Sequence, residues 1–263
     1  MEERLFLKGK EYTVPAVFCR PAGAEPCPAL ILCHGTGSHK DEVGGMFRLL
    51  ACRLAELGIA SIRMDFAGCG ESPVPGEALT FLGEVADTAL CFDYLKDHPA
   101  VDAGRIGILG FSQGARVMAE FLRSRPALRC AVSWSGACHN GPGLFADWFE
   151  SYYKEAQANG FARIPMGWRE DLHVSLGWFD QLAATCPMEG FTLFDGPVLA
   201  FAGREDTTVP CSHTGEIIAL CHHEKSRAVF IDGADHTFNV LTADPAPALQ
   251  VVEKTALWLA EQL

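Results

Sequence analysis

Short runs of apolar residues recur along most of the chain and give the strongest structural signal in the sequence. They show no alternation of apolar and polar positions. Such runs are typical of strands that are covered on both faces, as in a mostly parallel sheet. They predict six strands, at 29–33, 59–64, 105–111, 130–135, 197–203 and 227–232.

Helical periodicity fills several of the gaps between these runs. Apolar residues at helical spacing predict helices before the second strand, before the third strand, directly after the third strand and at the end of the chain. In the same order, the four predicted helices contain Phe47, Leu50, Leu54 and Leu57; Leu82, Val85, Ala89 and Phe92; residues 114–125; and Ala248, Val251, Val252, Thr255 and Leu259. This alternation predicts an α/β fold with a mostly parallel, doubly wound sheet.

The beginning of the chain follows a different pattern. Tyr12, Val14, Ala16 and Phe18 alternate with other residues and predict a further strand. Pro15 lies inside it and cannot donate a hydrogen bond to a neighbouring strand. The segment is therefore predicted to be an edge strand.

A segment of about sixty residues separates the strands at 130–135 and 197–203, which is far longer than an ordinary connection. We interpret residues 137–195 as an inserted lid on a core formed by 1–136 and 196–263. Flat rings stack well on aromatic side chains, and composition alone suggests four substrate contacts: Trp148, Tyr152, Trp168 and Trp178. Two other interpretations stay open, namely surface helices with apolar undersides and a homodimer interface that covers the aromatic residues.

Charge and composition exclude two classes of partner. The 263 residues carry a net charge of −12 without a Lys/Arg cluster, whereas nucleic-acid binders present a basic face to phosphates. An anionic membrane surface would repel this balance, and no apolar run reaches the roughly 18 residues of a membrane span. The 11 cysteines include no C-x-x-C pair. Their scatter, together with an N-terminus unlike a signal peptide, favours reduced thiols and a cytoplasmic location.

A G-x-S-x-G pattern places a candidate nucleophile at Ser112. It occupies residues 110–114, directly after a predicted strand and at the start of a predicted helix, which is the context that this pattern requires. A sharp strand-to-helix turn exposes the serine hydroxyl, and the helix N-terminus favours a developing negative charge. The alternative is a glycine-rich turn with a capping serine.

A serine hydroxyl needs a base, and His236 is the best-placed histidine because it follows the last predicted strand. Asp206 follows the preceding strand, so the chain order is Ser, Asp, His, as in α/β-hydrolases. Asp206 would orient the imidazole and stabilise its charged form. Glu205 and Asp235 are rival carboxylates.

Other histidines are interpreted without a catalytic role. Cys221, His222 and His223 are interpreted as a solvated helix end, because a zinc site needs other spacing. His34 is interpreted as structural.

Two backbone amides are the candidate oxyanion donors. His34-Gly35-Thr36-Gly37-Ser38 follows the first central strand, so the N–H of Thr36 is predicted to pair with the N–H of Gln113. The alternative is a tight turn whose glycines merely permit a positive φ.

These motifs together resemble the α/β-hydrolase superfamily. The resemblance rests on H-G-x-G-S at 34–38, the segment 65–72, G-F-S-Q-G, G-R-E-D-T-T-V-P from Gly203 and G-A-D-H-T-F from Gly233. They are most similar to those of bacterial cinnamoyl (feruloyl) esterases. This resemblance implies a lid after the sixth strand and oxyanion donors at Thr36 and Gln113. One departure is Thr36 itself, since that position is often aromatic in the branch.

The resulting hypothesis is a serine esterase that hydrolyses small carboxylic esters, with aromatic, hydroxycinnamoyl-type acyl groups preferred. It implies no metal or organic cofactor. A peptidase of the prolyl oligopeptidase kind and a monoacylglycerol-type lipase are the alternative enzymes. A hydrolase-like protein without catalysis is the alternative outside enzymes.

Overall fold

The computed structural model describes residues 1–23, 26–167 and 170–263. Eight strands form one sheet in the order β1-β2-β4-β3-β5-β6-β9-β10. Beyond the antiparallel pairs β1–β2 and β2–β4, all neighbouring strands are parallel, which confirms the predicted fold class. The strands are β1 Glu2–Lys8, β2 Thr13–Cys19, β3 Cys27–Cys33, β4 Ala60–Met64, β5 Val101–Phe111, β6 Cys130–Trp134, β9 Val198–Gly203 and β10 Arg227–Ile231.

Helices cover both faces of this sheet. Buried residues of α1 and α8 pack in one apolar cluster, and those of α2 and α3 pack in a second cluster on the opposite face. The predicted positions of the last helix are all buried, because its apolar stripe faces the sheet. The helices are α1 Met46–Glu56, α2 Phe81–Asp97, α3 Gln113–Leu122, α4 Ala146–Asn159, α5 Leu176–Ala184, α6 Met188–Leu193, α7 Ser212–Leu220 and α8 Ala246–Gln262.

The prediction of an edge strand around Pro15 is wrong. Strand β1 covers β2 on the outer side, and it escaped the sequence analysis because most of its side chains are exposed. Pro15 O accepts a hydrogen bond from Asp65 N at 2.9 Å, just beyond the last paired residue of β4. The proline nitrogen points the same way as this carbonyl, toward β4, so the ladder between β2 and β1 loses no bond to the proline.

The predicted apolar stripe of α2 is also wrong. Leu82 is 46% exposed, and Val85, Ala89 and Phe92 are only partly buried. The helix is rotated relative to the predicted stripe, and two carboxyl groups lie among its buried side chains. The buried residues are Phe81, Glu84, Asp87, Thr88, Cys91 and Leu95. Burial of a carboxyl group is tolerated where hydrogen bonds compensate for lost water.

The chain between β6 and β9 is here called the insert (residues 137–195), and its buried apolar residues pack in the same cluster as those of α2 and α3. It contains α4, α5, α6 and an antiparallel hairpin of β7 (Phe161–Ile164) and β8 (Leu172–Ser175). Gly160 ends α4 with a φ of 85°, a left-handed conformation that suits glycine at this position. The insert thus follows the sixth strand of the sheet in chain order.

Two further properties concern the chain as a whole. Among the described residues, no helix combines the length and the apolar character needed to cross a bilayer. All eleven cysteines lie in the part of the chain that the structure describes, none of them there in a disulfide, and six of them are buried.

Candidate active site

Ser112 lies in a sharp turn between β5 and α3. Its φ of 52° and ψ of −119° lie outside the regions that ordinary residues prefer, and its N–H donates to Trp134 O at 2.8 Å. A Cβ at Gly110 would collide with the backbone of Ala115, and one at Gly114 would collide with Cys33 O. Only glycines fit on both sides of Ser112, so the G-x-S-x-G pattern reflects a tightly packed turn.

Three residues from distant parts of the sequence meet at this turn. His236 Nε2 lies 3.0 Å from Ser112 Oγ, and His236 Nδ1 lies 2.8 Å from Asp206 Oδ2. The Asp206 side chain is buried, and its Oδ1 accepts hydrogen bonds from Thr208 N and Val209 N, both at 2.8 Å. The carboxylate therefore fixes a proton on Nδ1 and leaves the lone pair of Nε2 facing the serine hydroxyl.

The loop that carries His236 is held by other side chains. Asp235 Oδ1 accepts from Thr237 N and Asn239 N at 2.8 Å, so this rival carboxylate shapes its own loop. Ser135 Oγ donates to His236 O at 3.0 Å. Glu205, the other rival, is exposed. The position of His236 thus follows from the folding of residues 233–240.

The segment after β3 lies against Ser112. A Cβ at Gly35 would be 3.4 Å from Ser112 Cβ, which places the Gly35–Thr36 peptide beside the serine. His34 Nδ1 donates to Gly35 O at 2.8 Å, and His34 Nε2 accepts from Phe66 N at 3.1 Å. Burial lowers the pKa of His34, so the ring is neutral, as these two bonds require.

The peptide between Gly35 and Thr36 is planar and trans, so its C=O and its N–H point in opposite directions. His34 holds the C=O and thereby also sets the direction of the Thr36 N–H. Gln113 begins α3, and the first N–H groups of a helix have no acceptor within the helix. His34 is structural, as predicted, and it orients the amide of a candidate oxyanion donor.

A network of buried carboxyl groups that the sequence did not predict lies next to Gln113. Gln113 Nε2 donates to Glu84 Oε2 at 2.7 Å, while Asp87 accepts from Tyr12 OH at 2.9 Å and from Ala67 N at 3.0 Å. Burial raises the pKa of Glu84 well above its usual range and raises the pKa of Asp87 to about 6. The signal in the sequence was the pair of acidic residues within the apolar pattern of α2.

Asp87 should make the protein less stable as the pH rises. Its pKa is about 6 in the folded protein and 3.8 in the reference state, so folding favours the protonated form. That stabilisation is complete below pH 4 and is lost as the pH rises through 6, by roughly 3 kcal/mol. Asp87→Asn keeps the shape without ionising, and we expect its stability relative to wild type to increase between pH 4 and pH 7.5 in urea unfolding.

The matched control for Asp87→Asn is Asp93→Asn, which changes an exposed carboxylate on the same helix. Its stability relative to wild type should stay nearly constant over this range, because exposed charges interact weakly. A parallel pH dependence of Asp87→Asn and wild type would contradict the assignment.

Aromatic residues of the insert pack mainly on one another. Trp178 is 1% exposed, and its ring centroid lies 5.3 Å from that of Phe145 and 6.0 Å from that of Trp148. Trp148 and Tyr152 are half-buried, and Trp168 lies outside the described residues. Within the described part of the chain, no hydrogen bond or ring contact joins these side chains to Ser112 or His236. Trp178 is therefore a packing residue in this structure.

One cluster has ligand types suited to a metal ion. His139 Nε2 and His213 Nδ1 lie 2.8 Å and 3.3 Å from Glu216 Oε2. His213 Nε2, however, accepts the N–H of Cys138 at 3.0 Å, so the proton of this neutral ring lies on Nδ1. Metal binding at Nδ1 would break one of these bonds, and the cluster fits a hydrogen-bonded contact better than a metal site. Cys221, His222 and His223 follow the end of α7, as predicted.

The profile of the Hydrolase_4 family, described as serine aminopeptidase, S33, matches residues 24–189, which is more than half of the chain. The chain belongs to the Hydrolase_4 (S33) family. Its architecture is that of α/β hydrolases, as the sequence motifs predict.

Solved structures and one relative extend this likeness. Est1E from Butyrivibrio proteoclasticus, solved with bound ferulic acid, has a TM-score of 0.79 at 18% identity over 98% of each chain. The α/β hydrolase GrgF from Penicillium sp. sh18 has a TM-score of 0.77 at 12% identity over 100% of this chain and 99% of its own. An uncharacterized protein of Saccharomyces cerevisiae is 25% identical over 82% of this chain and 70% of its own. At these identities the structures support the fold alone.

Several hydrogen bonds and ion pairs join the insert of this S33 hydrolase to the core, among them those of Arg116 and His173. Arg116 of α3 donates to His139 O at 2.5 Å, to Gly141 O at 2.6 Å and to Leu182 O at 3.0 Å. At the hairpin, His173 Nδ1 lies 2.6 Å from Glu77 Oε1. Arg116 lies one helical turn from Ser112, so the insert is attached to the helix that also carries the candidate oxyanion amide.

Proposed function

We propose that this S33 hydrolase is a serine esterase that cleaves carboxylic esters through an acyl-enzyme. The main support is the continuous chain of hydrogen bonds from Ser112 Oγ through His236 to the buried Asp206. A hydroxyl bonded to a neutral imidazole, whose second nitrogen faces a carboxylate, is activated for attack on a carbonyl carbon.

The reaction follows from this geometry. Ser112 Oγ attacks the ester carbonyl while His236 Nε2 takes its proton, and the Thr36 and Gln113 amides hold the negative oxygen. Collapse of the intermediate releases the alcohol, which takes the proton from Nε2. Water then attacks the acyl-enzyme by the same route and releases the acid. Asp206 stabilises the imidazolium that forms in both halves.

We further propose an aromatic acyl group as the preferred substrate. Trp148 and Tyr152 are half-buried aromatic residues of the insert, and flat acyl groups stack well on such rings. Ferulic acid bound to Est1E, a protein of the same fold, supports this choice by analogy. Trp168, which lies outside the described residues, belongs to the same segment of the sequence.

The family description favours one alternative, an aminopeptidase. Such an enzyme needs an anionic group to bind the substrate ammonium. Glu42, Glu84 and Asp206 are buried near the site and already accept hydrogen bonds from protein groups. These three carboxylates are therefore already occupied, and an aminopeptidase would need another carboxylate to bind a free amino terminus.

A substrate panel tests the proposal. Purified protein is assayed on methyl ferulate, methyl octanoate, a monoacylglycerol, an acyl-peptide anilide and an aminoacyl anilide. We expect kcat/KM for methyl ferulate to exceed that for methyl octanoate by about tenfold, the value of one or two stacked aromatic contacts. Cleavage of the anilides alone would replace the esterase proposal with a peptidase, and a preference for octanoate would remove the aromatic specificity.

A further inference from the structure

Glu42 is a buried carboxylate in the turn that follows the candidate oxyanion segment. It is 2% exposed, although it belongs to a loop. Its Oε2 accepts the N–H of Gly35 at 2.5 Å, and its Oε1 accepts Ser38 Oγ at 2.7 Å and Val43 N at 2.9 Å. Gly35 and Ser38 lie on either side of Thr36 and Gly37, so the Glu42 side chain holds both ends of the segment that carries the Thr36 amide.

The backbone at Glu42 has a conformation that favours glycine. Its φ of 59° and ψ of 173° are strained for a residue with a side chain, and such strain persists where surrounding contacts hold it. Gly44 follows with a φ of 59°, and a Cβ there would collide with Val240, which belongs to the loop that carries His236. The turn that contains Glu42 and Gly44 thus lies between the segment 34–38 and the loop that carries His236.

We propose that Glu42 is a positioning residue that holds the Thr36 N–H in place to stabilise the oxyanion, an inference that rests on the proposed function. His34 fixes the carbonyl of the Gly35–Thr36 peptide, and Glu42 fixes the N–H of the peptide before it. Because both peptide planes are held, the direction of the Thr36 N–H is fixed before the substrate binds. Such preorganised donors act on charge that develops in the transition state, so their displacement lowers kcat more than it changes KM.

Glu42→Gln is the sharpest substitution. A glutamine amide has one accepting oxygen, whereas Gly35 N and Val43 N approach different oxygens of Glu42. Either orientation therefore leaves one backbone N–H facing an NH₂ group. Glu42→Gly removes the carboxylate but suits the positive φ, so its fold is retained while the anchor is lost. Glu56→Gln makes the same chemical change at an exposed position on α1 and serves as the matched control.

We expect kcat for ester hydrolysis to fall about 10- to 100-fold in both Glu42 variants, with KM changed less than about threefold, since a whole oxyanion donor is worth 100- to 1,000-fold. The rate at which a fluorophosphonate probe labels Ser112 should fall in parallel. Hydrogen exchange by mass spectrometry should show faster exchange at residues 34–38. Glu56→Gln should match wild type in all three measurements.

Unchanged exchange at 34–38 in Glu42→Gln would overturn the anchoring role. Faster exchange with wild-type kcat and labelling would overturn the positioning role, while the esterase proposal would stand. If wild-type protein itself neither hydrolyses esters nor reacts with the probe, the proposed function fails and the role of Glu42 fails with it. These outcomes differ in whether wild type is active, so the two failures are distinguishable.

Discussion

Replacing Ser112 with alanine is expected to abolish ester hydrolysis, with a loss in kcat of about a million-fold. The hydroxyl lies 3.0 Å from His236 Nε2, and no other group would then supply the attacking oxygen at this position. Residual turnover would come from water attacking a substrate held by the oxyanion donors. The loss should be measured as kcat on a nitrophenyl ester and as the absence of labelling by a fluorophosphonate probe.

Two controls separate this chemical loss from unfolding. Alanine has a Cβ, as serine does, so Ser112→Ala inherits the same strain at a φ of 52° and should unfold at nearly the wild-type temperature. Ser124→Ala removes a hydroxyl that bonds locally to Phe121 O near the end of α3, and it should retain wild-type kcat. Normal turnover by Ser112→Ala would disprove the proposed nucleophile.

The fold class, and the short motifs at strand ends that carry the candidate triad, could be recognised from the sequence alone. Ser112, Asp206 and His236 each follow a predicted strand, and parallel strands bring their carboxyl ends to one edge of a sheet. Continuous apolar runs made those strands recognisable without knowledge of their neighbours. The meeting of three residues separated by 94 and 30 positions, 112 to 206 and 206 to 236, follows from that topology.

A role that depends on a residue's partners could not be predicted from the sequence. Glu84 was passed over because an acidic residue in a helix is ordinarily exposed, and its burial follows from the side chain of Gln113, 29 positions away. Glu42 belongs to no recognised motif. Its proposed role depends on the backbone conformations at Glu42 and Gly44, which the sequence does not encode locally. Trp178 was chosen for its ring, but tertiary packing against Phe145 and Trp148 covers it.

Strand β1 shows the same limit at the level of the fold. Its sequence contains charged residues and few apolar ones, because one face and one edge are exposed. Only its pairing with β2, including Phe6 opposite Pro15, identifies it as a strand. Interior strands are specified by their own apolar character, whereas an outer strand is specified by its neighbour.

The second large effect is expected for Asp206→Asn, with kcat lowered about ten-thousand-fold and the fold retained. Asp206 Oδ1 accepts two backbone N–H groups, from Thr208 and Val209, so the asparagine oxygen must occupy that position. Its NH₂ then faces His236 Nδ1, which is forced to accept. The proton of the imidazole moves to Nε2, and Nε2 can no longer take a proton from Ser112.

A second variant separates the effect of the His236 tautomer from the effect of the Asp206 charge. Glu205→Gln removes a negative charge at the neighbouring, exposed position and should leave kcat nearly unchanged, since exposed charges are screened by solvent. The comparison is made at pH 7.5 with a nitrophenyl ester, with unfolding temperatures recorded for both variants. Comparable losses in the two variants would mean that net charge near the site controls the rate. A large loss in Asp206→Asn alone would mean that the direction of one hydrogen bond on His236 Nδ1 decides whether Ser112 is a nucleophile.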